Sequence, residues 1–147
     1  MPPLESPRRS ALAHHVHRPA QLGAWVLIRG SWYDPEGWGV WNDGSEAELA
    51  FALPPGWSGG GRLRLWLRGF APLTGQREIT LAIDGAAVPV TLRQGVEREV
   101  ELPFAAGPGT ISLSLSVPAP TRPVDAHIGE DRRQLGVALV ALELLPP

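Results

Sequence analysis

The chain predicts an all-β fold, a two-sheet antiparallel β-sandwich of jelly-roll type with about eight strands. Three observations carry that expectation. Several segments alternate strictly between apolar and polar residues, Arg62–Arg68 and Thr110–Val117 most clearly. Asp84-Gly85 stands between two such segments as a hairpin turn signal. No segment of useful length carries the 3.6-residue period of an amphipathic helix.

Taken in order, residues 1 to 18 are rich in Pro, Arg, Ser and His without a period, and are expected to form a flexible tail ahead of one sandwich domain spanning 19–147. Leu22 to Ile28 is a first apolar strand. Gly30 to Gly44 is broken by glycines and Pro35 and is expected to be a loop. Glu48 to Leu53 is a strand stopped by Pro54-Pro55-Gly56. In Arg62–Arg68 the leucines at 63, 65 and 67 share one face, and Arg62, Arg64, Trp66 and Arg68 share the other. Glu78–Ile83 and Val88–Leu92 flank the Asp-Gly turn, and Glu97–Leu102 is a strand that Pro103 ends. Thr110–Val117 places Ile111, Leu113, Leu115 and Val117 opposite three serines. Gly136–Leu145 is apolar almost throughout, as a strand covered on both faces would be.

Composition excludes several functions. A hydrophobic fraction of 44% over 147 residues is enough for a core. The net charge of −2 speaks against non-specific nucleic-acid binding, which needs a cationic excess. All thirteen basic residues are arginine. Without cysteine there is no disulfide, thiolate nucleophile or Cys-ligated zinc. The N-terminus lacks the apolar core of a signal peptide, and no run approaches the ~20 apolar residues of a membrane span, so a cytoplasmic protein is expected, with export by a non-standard route as the alternative.

The informative segment is Gly30-Ser-Trp-Tyr-Asp-Pro-Glu-Gly-Trp-Gly-Val-Trp-Asn-Asp-Gly44, with three of the six tryptophans, the one tyrosine and three carboxylates. Trp32, Tyr33, Trp38 and Trp41 offer flat faces on which the C–H patches of a sugar ring can stack, beside acids that accept hydrogen bonds from hydroxyls. The competing role for these rings is to cap one end of the sandwich. Glu36, Asp131 and Arg133 form a candidate polar set, either lining a ligand site or pairing to hold the loop. Arg64, Trp66 and Arg68 make a possible second surface, suited to an acidic glycan or a partner protein if open and to packing if covered.

Catalytic and metal patterns are poor. Gly56-Trp-Ser-Gly-Gly60 spells a nucleophile elbow, with Asp125 and His127 in triad order, but prolines precede it and a strand follows where the motif needs strand then helix. Glu36 and Asp131 are the acids a glycosidase pair would use, with nothing to set their separation. Gly59-Gly-Gly61 lacks the lysine of a phosphate loop. His14, His15 and His17 lie in the tail, and Asp34 and Asp43 have no diagnostic calcium spacing. The expectation is a non-enzyme with no cofactor and no metal.

The pattern Gly30-x-Trp32-Tyr33-x-x-Glu36-x-Trp38-Gly39-x-Trp41, followed by strands and then Asp131-x-Arg133-x-Leu135-Gly136, resembles a family of bacterial β-sandwich domains that accompany glycosyltransferases and other polysaccharide or cell-envelope proteins. The resemblance spans about residues 22 to 145 and implies glycan recognition or docking on a glycosyltransferase-type partner. It marks Trp32, Glu36, Trp38, Trp41, Asp131 and Arg133 as the residues of interest. By this reading the chain is expected to depart from the family's appended pattern in carrying no catalytic domain, and to act alone or in trans on a separate enzyme. A carbohydrate-binding protein is the first reading. A structural or self-associating module is the second.

Overall fold

The computed structural model describes residues 16–17, 26–34, 36–53, 59–105 and 110–146. Nine strands appear: β1 (Val16–His17), β2 (Val26–Trp32), β3 (Val40–Ala52), β4 (Gly61–Gly69), β5 (Gln76–Ile83), β6 (Ala86–Arg93), β7 (Glu97–Phe104), β8 (Thr110–Ser116) and β9 (Val137–Leu145). The one helical element among the described residues is a 3-10 turn at Pro123–Ala126.

All strand pairs are antiparallel and form the two layers of a jelly-roll sandwich. One sheet runs β7–β4–β9, with β1 and the first residues of β3 on the far side of β9. The other runs β6–β5–β8–β3–β2. Strand β3 serves both sheets. Val40 and Trp41 pair with Leu139 and Ala138, and Glu46–Ala52 then pair with β8. At the corner the register against β2 slips between Gly30 and Trp32, and Gly44 takes φ +89°, a conformation glycine adopts without strain. Asn42 is fully buried there and replaces missing ladder bonds. Its Oδ1 accepts from Gly136 N at 3.0 Å and Val137 N at 2.8 Å, and its Nδ2 donates to Gly44 O at 2.6 Å.

The alternating segments behave as their patterns require. Leu63, Leu65 and Leu67 of β4 face inward, meeting Leu113 and Leu115 of β8 and Ile79 and Leu81 of β5 in one core. Asp84 and Gly85 turn the β5–β6 hairpin with φ of 52° and 77°. Strand β9 is buried at all nine positions, as its continuous apolar run implied.

Three expectations need correction. The loop proposed for 30–44 shrinks to residues 33–39, because Gly30 and Gly44 are absorbed as irregularities inside β2 and β3. Pro103 does not end β7; it sits opposite Arg62 in a strand that pairs with β4, at the sheet edge where a missing N–H costs no ladder bond. Val16 and His17, assigned to the flexible tail, form β1 against Glu143 and Leu142, and the rest of that tail lies outside the described residues.

Candidate functional site

The site starts from a fault in β9. Trp66 pairs with Ala141 and Leu67 with Leu139, so Val140 is an extra residue, a β-bulge. Before the bulge Val137 and Leu139 point into the core; after it Leu142 and Leu144 do. Val140 and Ala141 are left on the outer face with Trp66 as a small second cluster, and Trp38 packs on it.

Trp38 reaches that face through a tight turn. Glu36 N donates to Gly39 O at 2.7 Å and Gly39 N to Glu36 O at 3.3 Å. A side chain at Gly39 would put its Cβ 2.7 Å from Leu139 O, so the turn can lie on the bulge only because residue 39 is glycine. From this seat Trp38 meets Trp41 edge to face at 5.5 Å, and Trp41 meets Phe70 in the same way at 5.8 Å. The Arg68 guanidinium lies 5.4 Å from the Trp38 ring centroid.

A polar chain runs beside the rings. Trp38 Nε1 donates to Glu36 Oε1 at 3.3 Å, and Arg133 Nη1 donates to Glu36 Oε2 at 3.3 Å. Arg133 also grips Asp131, from Nη2 at 2.8 Å and from Nε at 3.0–3.1 Å. That fork holds the Asp131 carboxyl below the usual carboxylate range and raises the Arg133 guanidinium. The side chains of Glu36, Arg133 and Asp131 remain 40%, 35% and 33% exposed. The Arg133 guanidinium lies 5.4 Å from the Tyr33 ring centroid, and Tyr33 Oη accepts from Gln134 N at 2.9 Å. Burial pushes the Tyr33 phenol up, against the Gln134 hydrogen bond.

Of the expected residues, Tyr33, Glu36, Trp38, Trp41, Asp131 and Arg133 converge through these contacts. Trp32 stands apart: its ring packs against the main core and its Nε1 donates to Glu48 O at 2.9 Å. The second set proves continuous with the first through Trp38, and most of it is closed to solvent. Trp66 is buried under the bulge cluster. Arg64 is buried among Glu99, Glu101 and Glu143. Burial works to lower the Arg64 guanidinium, but the three acids together leave it raised. Only Arg68, half-exposed and 3.8 Å from Glu97, retains an open side chain. The Arg-Trp-Arg stripe is therefore not an open surface. Sequence reasoning missed Phe70, Gln134 and Asn42, whose roles depend on partners far along the chain; only the glycines flanking them signalled close approach.

Glu36 and Asp131 share one arginine. Asp125 and His127 lie exposed at the 3-10 turn, and most of the Gly56–Gly60 segment lies outside the described residues. Among the described residues no group of three or more His, Asp or Glu side chains is placed to hold a metal, and no helix is long and apolar enough to cross a membrane.

The architecture is that of carbohydrate-binding modules. The CBM36-1 domain of a multidomain xylanase from the hindgut metagenome of Trinervitermes trinervoides matches with a TM-score of 0.54 at 13% identity, over 88% of this chain and 94% of that one. A family 35 carbohydrate binding module from Clostridium thermocellum matches at 0.53 and 10% identity, over 88% and 97%. The CBM35 from Cellvibrio japonicus Abf62 matches at 0.52 and 15%, over 88% and 91%. At these identities the likeness establishes the fold alone. No curated protein sequence matches the chain. The family model "Domain of unknown function (DUF7024)" matches residues 31–146, and the chain belongs to that family. The matched span contains both the Trp-rich turn and the Asp131–Arg133 segment.

Proposed function

We propose that the protein is a non-catalytic carbohydrate-binding β-sandwich that receives glycan on the outer face of the β9 sheet. The observation that carries this reading is the Trp38–Trp41 pair, two partly exposed indoles set edge to face at 5.5 Å beside the half-exposed Glu36–Arg133 pair. An indole face flanked by an acceptor and a donor is the combination that a pyranose needs. Trp38 and Trp41 would take the C–H face, Glu36 would accept from hydroxyls, and Arg133 would donate to ring or hydroxyl oxygens. The fold shared with carbohydrate-binding modules supports the same reading. Association with glycan-building enzymes, which the sequence resemblance implies, belongs to this proposal as its setting.

The test is a titration of tryptophan fluorescence with a panel of bacterial polysaccharides and oligosaccharides. One glycan class should give a saturable shift, and Trp38→Ala should weaken it about tenfold or more with the fold intact. Equal binding by folded Trp38→Ala and Trp41→Ala proteins would defeat the proposal.

One observation favours a second reading. Trp38 Nε1, Glu36 and Arg133 already satisfy one another, as the parts of a structural clamp would. In that case the surface serves self-association or docking on a glycosyltransferase-type protein. No glycan response, with size rising with concentration in sedimentation, would select it.

A further inference from the structure

Among the residues whose burial is described, Arg64, Arg68, Arg77 and Arg133 are the arginines withdrawn from full exposure. Arg64, Arg68 and Arg133 each face carboxylates. Arg77 faces none. Its Nε donates to Phe70 O at 2.9 Å, its Nη1 to Pro118 O at 2.6 Å and Ala119 O at 3.0 Å, and its Nη2 to Thr121 Oγ1 at 2.9 Å. Carbonyl dipoles satisfy hydrogen bonds but leave the full positive charge unneutralised. Burial accordingly pushes the Arg77 guanidinium down, with no acid to oppose it.

This charge lines a cleft of about 420 Å³ between the 71–78 and 118–121 segments. Leu73, Pro118 and Ala119 supply apolar walls, and Arg77 and Thr121 supply donors. The Thr121 hydroxyl accepts from Arg77 and keeps its own proton to give. Glu78 also lines the cleft; it is exposed, so solvent weakens its repulsion of an anion without removing it, and the Arg77 charge and the two donors must outweigh it. The volume falls in the range of small-ligand sites, and mostly apolar walls with a few placed donors are their usual composition.

We propose that this cleft is a second binding site, separate from the Trp38–Trp41 surface, for a small ligand bearing one carboxylate. The carboxylate sits against the remaining Arg77 Nη2 proton and the Thr121 hydroxyl, and the ligand's apolar framework lies on Leu73, Pro118 and Ala119. Two kinds of framework present that chemistry, a sugar acid and an aliphatic acid.

The experiment follows backbone amide shifts of the full chain during titration with glucuronate, hexanoate and the neutral methyl glucoside. Glucuronate or hexanoate should move the amides of 71–78 and 119–121 saturably, and added salt should weaken the effect. Whichever acid binds more tightly identifies the framework. Methyl glucoside should leave these amides in place. Arg77 also ties two loops together, so the deciding variant is Leu73→Glu at the rim, where Leu73 is 69% exposed and the fold does not depend on it. The added like charge should weaken carboxylate binding about fivefold or more. Thr121→Val should weaken it as well. Equal shifts from acid and neutral sugar, no shifts from either acid, or unchanged binding by Leu73→Glu would overturn the proposal. None of these outcomes bears on the tryptophan surface, which is read separately by fluorescence.

Discussion

Arg133 Nη1 donates to Glu36 Oε2 at 3.3 Å across 97 positions of sequence, and this contact joins the Trp-rich turn to the segment that leads into β9. The turn lies on the β9 bulge by packing; the arginine sets its orientation. Stability and site geometry thus depend on the same side chain.

Removing that side chain should show both dependences. Arg133→Ala is expected to cost about 1 kcal/mol in urea unfolding; a third of each partner is exposed and solvent screening holds the figure down. Arg133→Lys should not restore the loss, because an ammonium cannot reproduce the fork on Asp131 while reaching Glu36. Full stability in the lysine protein would show that charge alone suffices.

Acid should weaken the fold through the same pair. The Arg133 fork lowers the Asp131 carboxyl, and Arg64 lowers that of Glu101. A carboxylate with a depressed folded pKa stabilises fully above its unfolded value, about 3.9 for Asp and 4.3 for Glu, and that contribution is lost as pH falls through the folded value. In that window the unfolded chain binds more protons, so stability rises with pH. Melting temperature should therefore be flat from neutral pH to about 5 and fall below about 4. Asp131→Asn should melt lower at neutral pH and show a shallower acid limb. An acid limb identical to wild type would assign the effect to other carboxylates.

How much of this was legible beforehand follows from what each residue answers to. Leu63, Leu65 and Leu67 answer to the two-residue period of their own strand, so their burial could be read directly. The Asp84-Gly85 turn is equally local. Trp38 answers to a bulge at Val140, a hundred residues away, and nothing within the β9 run marks where the extra residue falls. The alternation of β4 correctly put Arg64 and Trp66 opposite the leucines, but not under cover, since their neighbours Glu99, Glu101 and Ala141 come from other strands. Of the site, the residue types were readable and most of the partnerships were not. The pairing of Arg133 with Asp131 was within reach because the two are close in sequence.

The buried charges around Arg64 give a strong expectation. Arg64 Nη1 donates at 3.0 Å to Glu143, which is fully buried. Arg64→Met would take this cation away from a carboxylate held in a low dielectric, at a cost of up to about 3–5 kcal/mol. The double variant Arg64→Met, Glu143→Met removes both charges and should recover much of the loss. A double variant as unstable as the single one would mean that packing of the arginine stem, not charge, supplies the stability.

Gly39 tests whether the aromatic turn depends on the β9 bulge. A Cβ at residue 39 would stand 2.7 Å from Leu139 O and 3.3 Å from Val140 Cα, both backbone atoms that cannot swing aside. Gly39→Ala must lift the turn or shift the strand, an overpacking cost of about 1–3 kcal/mol. If the turn lifts, Trp38 leaves the cluster of Trp66, Val140 and Ala141, and its fluorescence becomes more accessible to acrylamide. If the strand shifts instead, Trp38 stays shielded and the destabilisation is read at β9, by faster amide exchange at Val140 and Ala141. The first outcome is expected, because β9 is held on both sides, by β4 along its length and by β1 and β3 opposite, while the turn is fastened mainly by its own residues and Arg133. Wild-type stability with unchanged quenching would remove the bulge as the reason for glycine at this position.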